Sequence, residues 1–383
     1  MATQIYNGKV LADNGTWLNE GSIVVSDGRI VEILDNSRKA EGVDRYIDAE
    51  GGFVVPGGID LHVHGAAGHD FMDGTAEAFG KIIETHRRHG TTSIYPTISS
   101  ASYETMRRAA EICAEMMRDV NSGVLGLHLE GPYFNPAMAG GQIAENIRLA
   151  QKEEYEALLA DFDCIARWDA APEMPGALEF GRYAKAKGVV PGIAHTQAGI
   201  DEVSAAYENG YTFATHFYNG MTGIHKEGIY KKSGTVEAVF LHDGIDVEVI
   251  ADGVHVPPEV LRLVHKFKGS DRMCLVTDAL AITGTDGLSD ARVVVENGVC
   301  KLRDGSAIAG SCSTMDHLIK TAVDKAGISL EEVSKMVSET PARIMGVFDR
   351  KGSLSAGKDA DILILSRSLA LTHVLAMGNE IEI

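Results

Sequence analysis

Two histidines separated by a single residue, in Pro56-Gly57-Gly58-Ile59-Asp60-Leu61-His62-Val63-His64-Gly65, are the first residues of this chain whose types and spacing suit chemistry. The stretch reads as a buried strand. Side chains alternate faces along a strand, so His62 and His64 point one way and Leu61 and Val63 the other. Two imidazoles so placed can hold one divalent ion. The plainer alternative is a pair of ordinary polar residues near a strand end, and the rest of the chain must decide between them. Further candidates of the same chemical kind recur downstream: Glu130 in Gly126-Leu127-His128-Leu129-Glu130-Gly131-Pro132, His195 in Pro191-Gly192-Ile193-Ala194-His195, His216 in Phe213-Ala214-Thr215-His216, His255 in Ala251-Asp252-Gly253-Val254-His255, and Asp278 in Cys274-Leu275-Val276-Thr277-Asp278.

The elements that must position these residues alternate. Strands are predicted near 59–64, 92–97, 124–130, 164–171, 189–195, 212–216, 246–251 and 273–278, with helices over 75–89, 102–118, 151–160, 176–187, 199–209, 235–242 and 257–267. Eight strands with intervening helices predict an α/β fold, a (β/α)8 TIM barrel. A doubly wound open sheet would need a switch point that the pattern does not offer. On the barrel map every candidate falls at the C-terminal end of a strand, the rim where barrel enzymes build their active sites. A hairpin is predicted at Ala291–Leu302, helices at 313–325 and 329–339, and a further short helix starting at Pro341.

Short strands mark both ends of the chain. Ile23–Val25, Ile30–Leu34 and Phe53–Val55 are separated by turn residues, Asp27-Gly28 among them, and Gly352–Leu354, Ala360–Leu365 and His373–Leu375 return to the same style. The two ends are expected to pair into one small β-sandwich domain, residues 1–55 with 350–383, beside a barrel domain at 56–349.

Composition narrows the partners. A 383-residue chain with 45% apolar and 23% charged residues is that of a globular protein. A net charge of −19 repels nucleic acid and anionic lipid at long range, so neither is an expected partner. There is no run of 18 apolar residues, and the N-terminus lacks a basic-then-apolar leader, which predicts a cytoplasmic protein. Its five cysteines are odd in number and widely spaced, as for reduced thiols.

One carboxylate and two imidazoles, Glu130, His195 and His216, make a three-ligand site with an open position, which suits catalytic zinc; iron, cobalt and manganese accept the same donors. His62 and His64 complete a second site if Glu130 bridges. Asp278 reads either as a strand-end cap or as the group that takes a proton from metal-bound water, whose pKa a divalent ion lowers to about 7. By alternation His128 lies one layer below Glu130 and Asp60 one layer below His62, where they would support the ligands from beneath. His86, His89, His242, His265, His317 and His373 read as solvated or structural, and His69 stays ambiguous.

The opening Pro-Gly-x-Ile-Asp-x-His-x-His, the histidines of strands 5 and 6 and the aspartate of strand 8 resemble the amidohydrolase superfamily. Glu130-Gly131-Pro132-Tyr133, His216-Phe217-Tyr218-Asn219-Gly220-Met221, Ala251–His255, Leu275–Ala279 and Ala309-Gly310-Ser311 resemble, more narrowly, its N-acetylglucosamine-6-phosphate deacetylases. The resemblance implies deacetylation of N-acetylglucosamine 6-phosphate to glucosamine 6-phosphate and acetate, in amino-sugar catabolism or cell-wall recycling, with metal-bound water as nucleophile. It implies Glu130, His195 and His216 as ligands of the catalytic ion, and Asp278 as general base and then acid. His255 would bind the acetamide oxygen, and the backbone of Asn219 and Gly220 the sugar phosphate. It also implies a homodimer, because the family's phosphate site receives residues from a partner subunit. Two positions depart from the family. Gln142 stands where a histidine is usual and would donate to a sugar hydroxyl, and His225-Lys226 stand where an arginine binds phosphate. N-acetylgalactosamine 6-phosphate, or the substrate of another hydrolase or deaminase of the superfamily, is the alternative. Strand 4, Arg167–Glu173, lacks the metal-bridging lysine of the cyclic amidases.

Overall fold

The computed structural model describes residues 2–285, 293–296, 299–305 and 307–383. At its centre are eight parallel strands, numbered 1 to 8 in chain order: Gly58–Val63, Thr91–Ile98, Leu127–Tyr133, Ile165–Ala170, Val190–Ile193, Phe213–Ala214, Asp246–Ile250 and Met273–Val276. Each is hydrogen-bonded to the next in that order. The ring closes at its rim, where the Asp278 N–H donates to the His62 carbonyl at 2.9 Å and the His64 N–H to the Ala279 carbonyl at 2.9 Å. Among the described residues seven helices alternate with the strands, and Met315–Asp324 comes after strand 8. Ala76–Arg88 shows why they form: the Thr75 side chain caps the Ala78 N–H, and Ala78, Phe79, Ile82, Ile83 and His86 line one buried face. The eight predicted barrel strands and the seven predicted helices between them all fall on observed ones, so the barrel expected from the pattern is the barrel found.

Barrel interiors are usually packed with branched apolar side chains. Here one layer is polar and charged. The fully buried Arg167 donates through Nη1 to Glu248 Oε2 at 2.6 Å and to the Leu61 carbonyl at 3.0 Å, and through Nη2 to Thr215 Oγ1 at 3.1 Å. His128 Nε2 lies 2.7 Å from Asp169 Oδ2, and the Thr277 hydroxyl donates to Asp60 Oδ2 at 2.6 Å. Asp60 and His128 therefore sit beneath the rim. Burial holds the Asp60 carboxyl up at about 7 and the His128 imidazole down at about 4.

The chain ends meet as anticipated: Ile362–Leu365 pairs antiparallel with Phe53–Pro56. Eight strands form one hydrogen-bonded sheet around a core that includes Ile5, Ile23, Val54, Ile362 and Leu375. Its two halves are joined along Ala2–Leu11, which pairs in parallel first with Arg45–Asp48 and then with Phe53–Pro56. The change of partner spans Asn7, a non-glycine residue at φ 56°. That irregularity breaks the polar–apolar alternation and hides Ala2–Leu11 in the sequence. Arg45–Asp48 and Asn379–Ile381 are further strands that the pattern does not predict, and Gly352–Leu354 is not a strand. Asp27 and Gly28 do form a hairpin tip, with Ser26 opposite Arg29.

In the expected hairpin Ala291–Leu302, Val293–Glu296 pairs with Val299–Leu302; residues 291, 292, 297 and 298 lie outside the described ones. Leu330–Ser334 runs through a π turn, Lys335–Glu339, into Thr340–Ile344. Pro341 thus lies within a continuing helix and does not open a separate one. Among the described residues no helix is long and apolar enough to cross a membrane.

Candidate metal centre and substrate cavity

Strands 5, 6 and 8 each stop two residues short of a candidate ligand. His195, His216 and Asp278 then take φ values of 45°, 31° and 48°. Left-handed backbone at a non-glycine residue costs of order 1–3 kcal/mol and persists where surrounding structure enforces it. The reversal turns all three side chains inward across the barrel mouth. Gly220, at φ 61°, closes in behind them. A Cβ there would stand 3.2 Å from His195 Nδ1 and 3.3 Å from His216 Cε1. Strand 3 does not end at Glu130 but runs on to Tyr133.

Glu130 is the meeting point. Its Oε1 faces His195 Nε2 and His216 Nε2, each at 3.0 Å, and the two nitrogens are 3.2 Å apart. The far ring nitrogens are already committed as donors, His195 Nδ1 to the Met138 carbonyl at 2.7 Å and His216 Nδ1 to the Asn219 carbonyl at 3.0 Å. In the neutral rings both Nε2 atoms therefore carry lone pairs, aimed at each other and at a carboxylate. A second group adjoins the first: His62 Nε2 is 3.1 Å from His64 Nε2, and His64 Nε2 lies 3.2 Å from Asp278 Oδ1 and 3.3 Å from Glu130 Oε2. His62 Nδ1 donates to Glu248 Oε1 at 2.6 Å, and that oxygen also accepts the His216 backbone N–H at 3.0 Å. One buried carboxylate thus steadies a ligand of each group.

Convergent lone pairs call for a cation between them. The titration behaviour of the site expresses the same demand. Burial lowers His64, but its bonds to Asp278 and Glu130 outweigh burial and push it up to about 10. Burial raises Glu130 and Asp278, yet the facing imidazoles hold both below the usual carboxylate range. Glu130, His195 and His216 form one set of three donors and His62, His64 and Asp278 another, each within 4.8 Å. Nitrogen and carboxylate oxygen donors with the outer ring nitrogens tied down suit a divalent ion of the zinc or iron kind.

A cavity of about 390 Å3 opens above these residues, lined also by Gln142, Asn219, Gly220 and His255. Three expectations change here. Gln142 is only partly available to a sugar hydroxyl. Its Nε2 donates to Glu130 Oε2 at 2.6 Å and its Oε1 accepts the Ser100 N–H at 2.7 Å, so one amide N–H is left over. The Asn219 backbone N–H donates to the His216 carbonyl at 2.8 Å; its side-chain Nδ2 is buried with no hydrogen-bond partner among the described residues. His225 and Lys226 do not line the cavity. They lie on an exposed hairpin, His225–Glu227 paired with Tyr230–Lys232, which lifts both off the barrel. Glu248 and Asp252, hydrogen-bonded to His62 and His255, and Arg167, hydrogen-bonded to Glu248, are positions that sequence reasoning misses. The sign available is a charge set between apolar neighbours within a barrel strand, such as Glu248 between Val247 and Val249.

The amidohydrolase family model matches residues 53–381. The chain belongs to the amidohydrolase family. It is 30% identical over 373 residues to an N-acetylglucosamine-6-phosphate deacetylase of Bacillus subtilis, covering 94% of this chain and 93% of that one. It is 33% identical to an N-acetylgalactosamine-6-phosphate deacetylase of Escherichia coli O157:H7, covering 97% of each. The crystal structure of the N-acetylglucosamine-6-phosphate deacetylase of Pasteurella multocida superposes with a TM-score of 0.92 at 30% identity, over 99% of both chains.

In this amidohydrolase, protons and metal compete for the same nitrogens. With His64 held up at about 10, the ion-free protein keeps that ring protonated at pH 8, and a bound ion must displace the proton. Zinc added to metal-free protein at pH 8 releases protons, and affinity weakens as pH falls. Calorimetry in buffers of different ionisation enthalpy measures both; uptake without proton release contradicts it.

Proposed function

We propose that this chain hydrolyses the acetamide of N-acetylglucosamine 6-phosphate to glucosamine 6-phosphate and acetate. Glu130 carries the reading: one oxygen faces His195 and His216, the other faces His64, and Asp278 stands beside them on the floor of a sugar-sized cavity. Named deacetylases of phosphorylated amino sugars match along the whole chain. We place the chemistry in the barrel, residues 56–349, with 1–55 and 350–383 as its supporting β unit.

Glu130, His195 and His216 hold the catalytic ion, and His62 and His64 hold a second with Asp278. Zinc suits these donors best, with iron, cobalt or manganese able to replace it. When bound, the ion supplies Lewis acidity and acidifies a water. The Asp278 carboxylate, kept ionised by the neighbouring imidazoles, takes a proton from the attacking water and delivers it to the leaving nitrogen. His255 on the cavity wall donates to the acetyl oxygen as negative charge builds there. The backbone of Gly220 and the unpartnered Nδ2 of Asn219 take the sugar phosphate.

The phosphate needs positive charge, and the described cavity lining of one chain holds no lysine or arginine. The hairpin bearing His225, Lys226, Lys231 and Lys232 also exposes Ile229 at 85% and Tyr230 at 70%, an apolar tip suited to a protein surface. We assign it to a partner subunit's cavity in a cytoplasmic homodimer. Joint replacement of Ile229 and Tyr230 by Asp gives a monomer in sedimentation with a raised KM; an intact dimer rejects this.

The galacto epimer is the second reading, favoured by the Escherichia coli relative. Acetate release from both sugar phosphates separates the two. Activity disappears on metal removal and returns with zinc, and Asp278→Asn lowers kcat by about 10^3-fold or more in a folded protein. Turnover that survives thorough chelation defeats the reading.

A further inference from the structure

Beyond strand 7 the chain turns through Asp252-Gly253-Val254-His255, and the turn closes on a carboxylate. Asp252 Oδ1 accepts the N–H groups of Val254 at 2.8 Å and His255 at 2.9 Å. Asp252 Oδ2 lies 2.7 Å from His255 Nδ1. Both side chains are nearly buried, at 6% exposure for His255 and 9% for Asp252. Burial raises the Asp252 carboxyl, but the bonds from the His255 ring and the turn N–H groups outweigh it and hold it below its usual range. Among the described residues, the titratable groups around this turn include the Cys312 thiol, on the loop next to the cavity, the Cys300 thiol, and the Lys325 amine, near Gly253.

An ionised oxygen 2.7 Å from Nδ1 requires a proton on that nitrogen, because the opposite tautomer would set two lone pairs against each other. The tautomer of His255 is thereby decided outside the cavity. With Nδ1 as donor, Nε2 is the remaining nitrogen on a ring that lines the cavity. In the neutral ring Nε2 is an acceptor. It gains a proton only when the ring becomes imidazolium. An acyl oxygen is itself an acceptor, so a neutral ring in this state has nothing to offer it.

We infer that Asp252 is a positioning residue that confines His255 to states protonated on Nδ1, so that His255 meets the acyl oxygen as an imidazolium and not as a neutral donor. The inference rests on the deacetylase reading for the acyl oxygen; the ring's protonation does not depend on it. A charge-assisted bond to a developing oxyanion is roughly twice as strong as a neutral one, and its gain falls on the transition state more than on the bound substrate.

Asp252→Asn separates this role from a merely structural one. Its amide can keep the turn bonds through Oδ1 while Nδ2–H donates to Nδ1, which drives the ring proton to Nε2 and removes the charge. The test is a long-range proton–nitrogen spectrum of the zinc-loaded, 15N-histidine-labelled full chain, with the His255 signals identified by their loss in His255→Gln. The wild type shows Nδ1–H, with or without a second proton. Asp252→Asn shows a neutral ring protonated on Nε2. Its kcat on the phosphorylated N-acetyl sugar falls about 10- to 100-fold with KM within about threefold, and Asp252→Glu restores both spectrum and rate in part. A wild-type neutral ring protonated on Nε2 overturns the inference even if no variant folds, and so does Asp252→Asn turning over at the wild-type rate. A wild type inactive on either sugar phosphate removes the substrate reading, while the spectrum still decides the ring.

Discussion

Four imidazole nitrogens crowd round the oxygens of two carboxylates at the mouth of this barrel, and the neutral rings of His62, His195 and His216, whose outer nitrogens already donate elsewhere, have no proton left to place between them. Glu130 holds the group together, with Oε1 turned to His195 and His216 and Oε2 to His64 and Gln142. Such an arrangement is tolerable only if positive charge fills it, either as protons on the rings or as metal. Much of the unusual structure nearby stems from that requirement. Three non-glycine residues accept left-handed backbone so that their side chains reach the centre, and Gly220 stays bare of a Cβ beside two of the rings.

The layer below explains how the rim stays ordered. Burying Arg167 with Glu248 incurs a desolvation cost that an apolar layer would avoid, and an ion pair of this kind adds little net stability. Its use lies in orientation. Glu248 Oε1 fixes the His62 ring and the His216 backbone at once, so ligands from opposite sides of the barrel answer to one carboxylate, itself held by Arg167. Asp252 does for His255 what Glu248 does for His62: a carboxylate outside the cavity determines which nitrogen faces in.

Much of this is legible in the sequence because it comes from periodicity. Alternation puts His62 and His64 on one face and sinks Asp60 and His128 a layer deeper, and the strand–helix rhythm places every ligand at the same rim. What escapes is of another kind. The two-residue overshoot that turns His195, His216 and Asp278 inward is a backbone conformation that no residue type there signals. Gln142 offers the same donors in any setting, and whether its amide meets a sugar or a carboxylate depends on a loop's path. Lys226 has the charge to face a phosphate and His225 a ring that can donate to one, but the short hairpin that carries them away has too little alternation to announce itself. Ala2–Leu11 is concealed by its own irregularity.

A shared cation at Glu130 is the claim on which the rest stands. Crystals grown with zinc and measured on both sides of its absorption edge test it most directly. An anomalous peak is expected about 2.0–2.2 Å from Nε2 of both His195 and His216 and from a Glu130 oxygen. Zinc bound elsewhere on the protein, with those three side chains left without a peak between them, contradicts it.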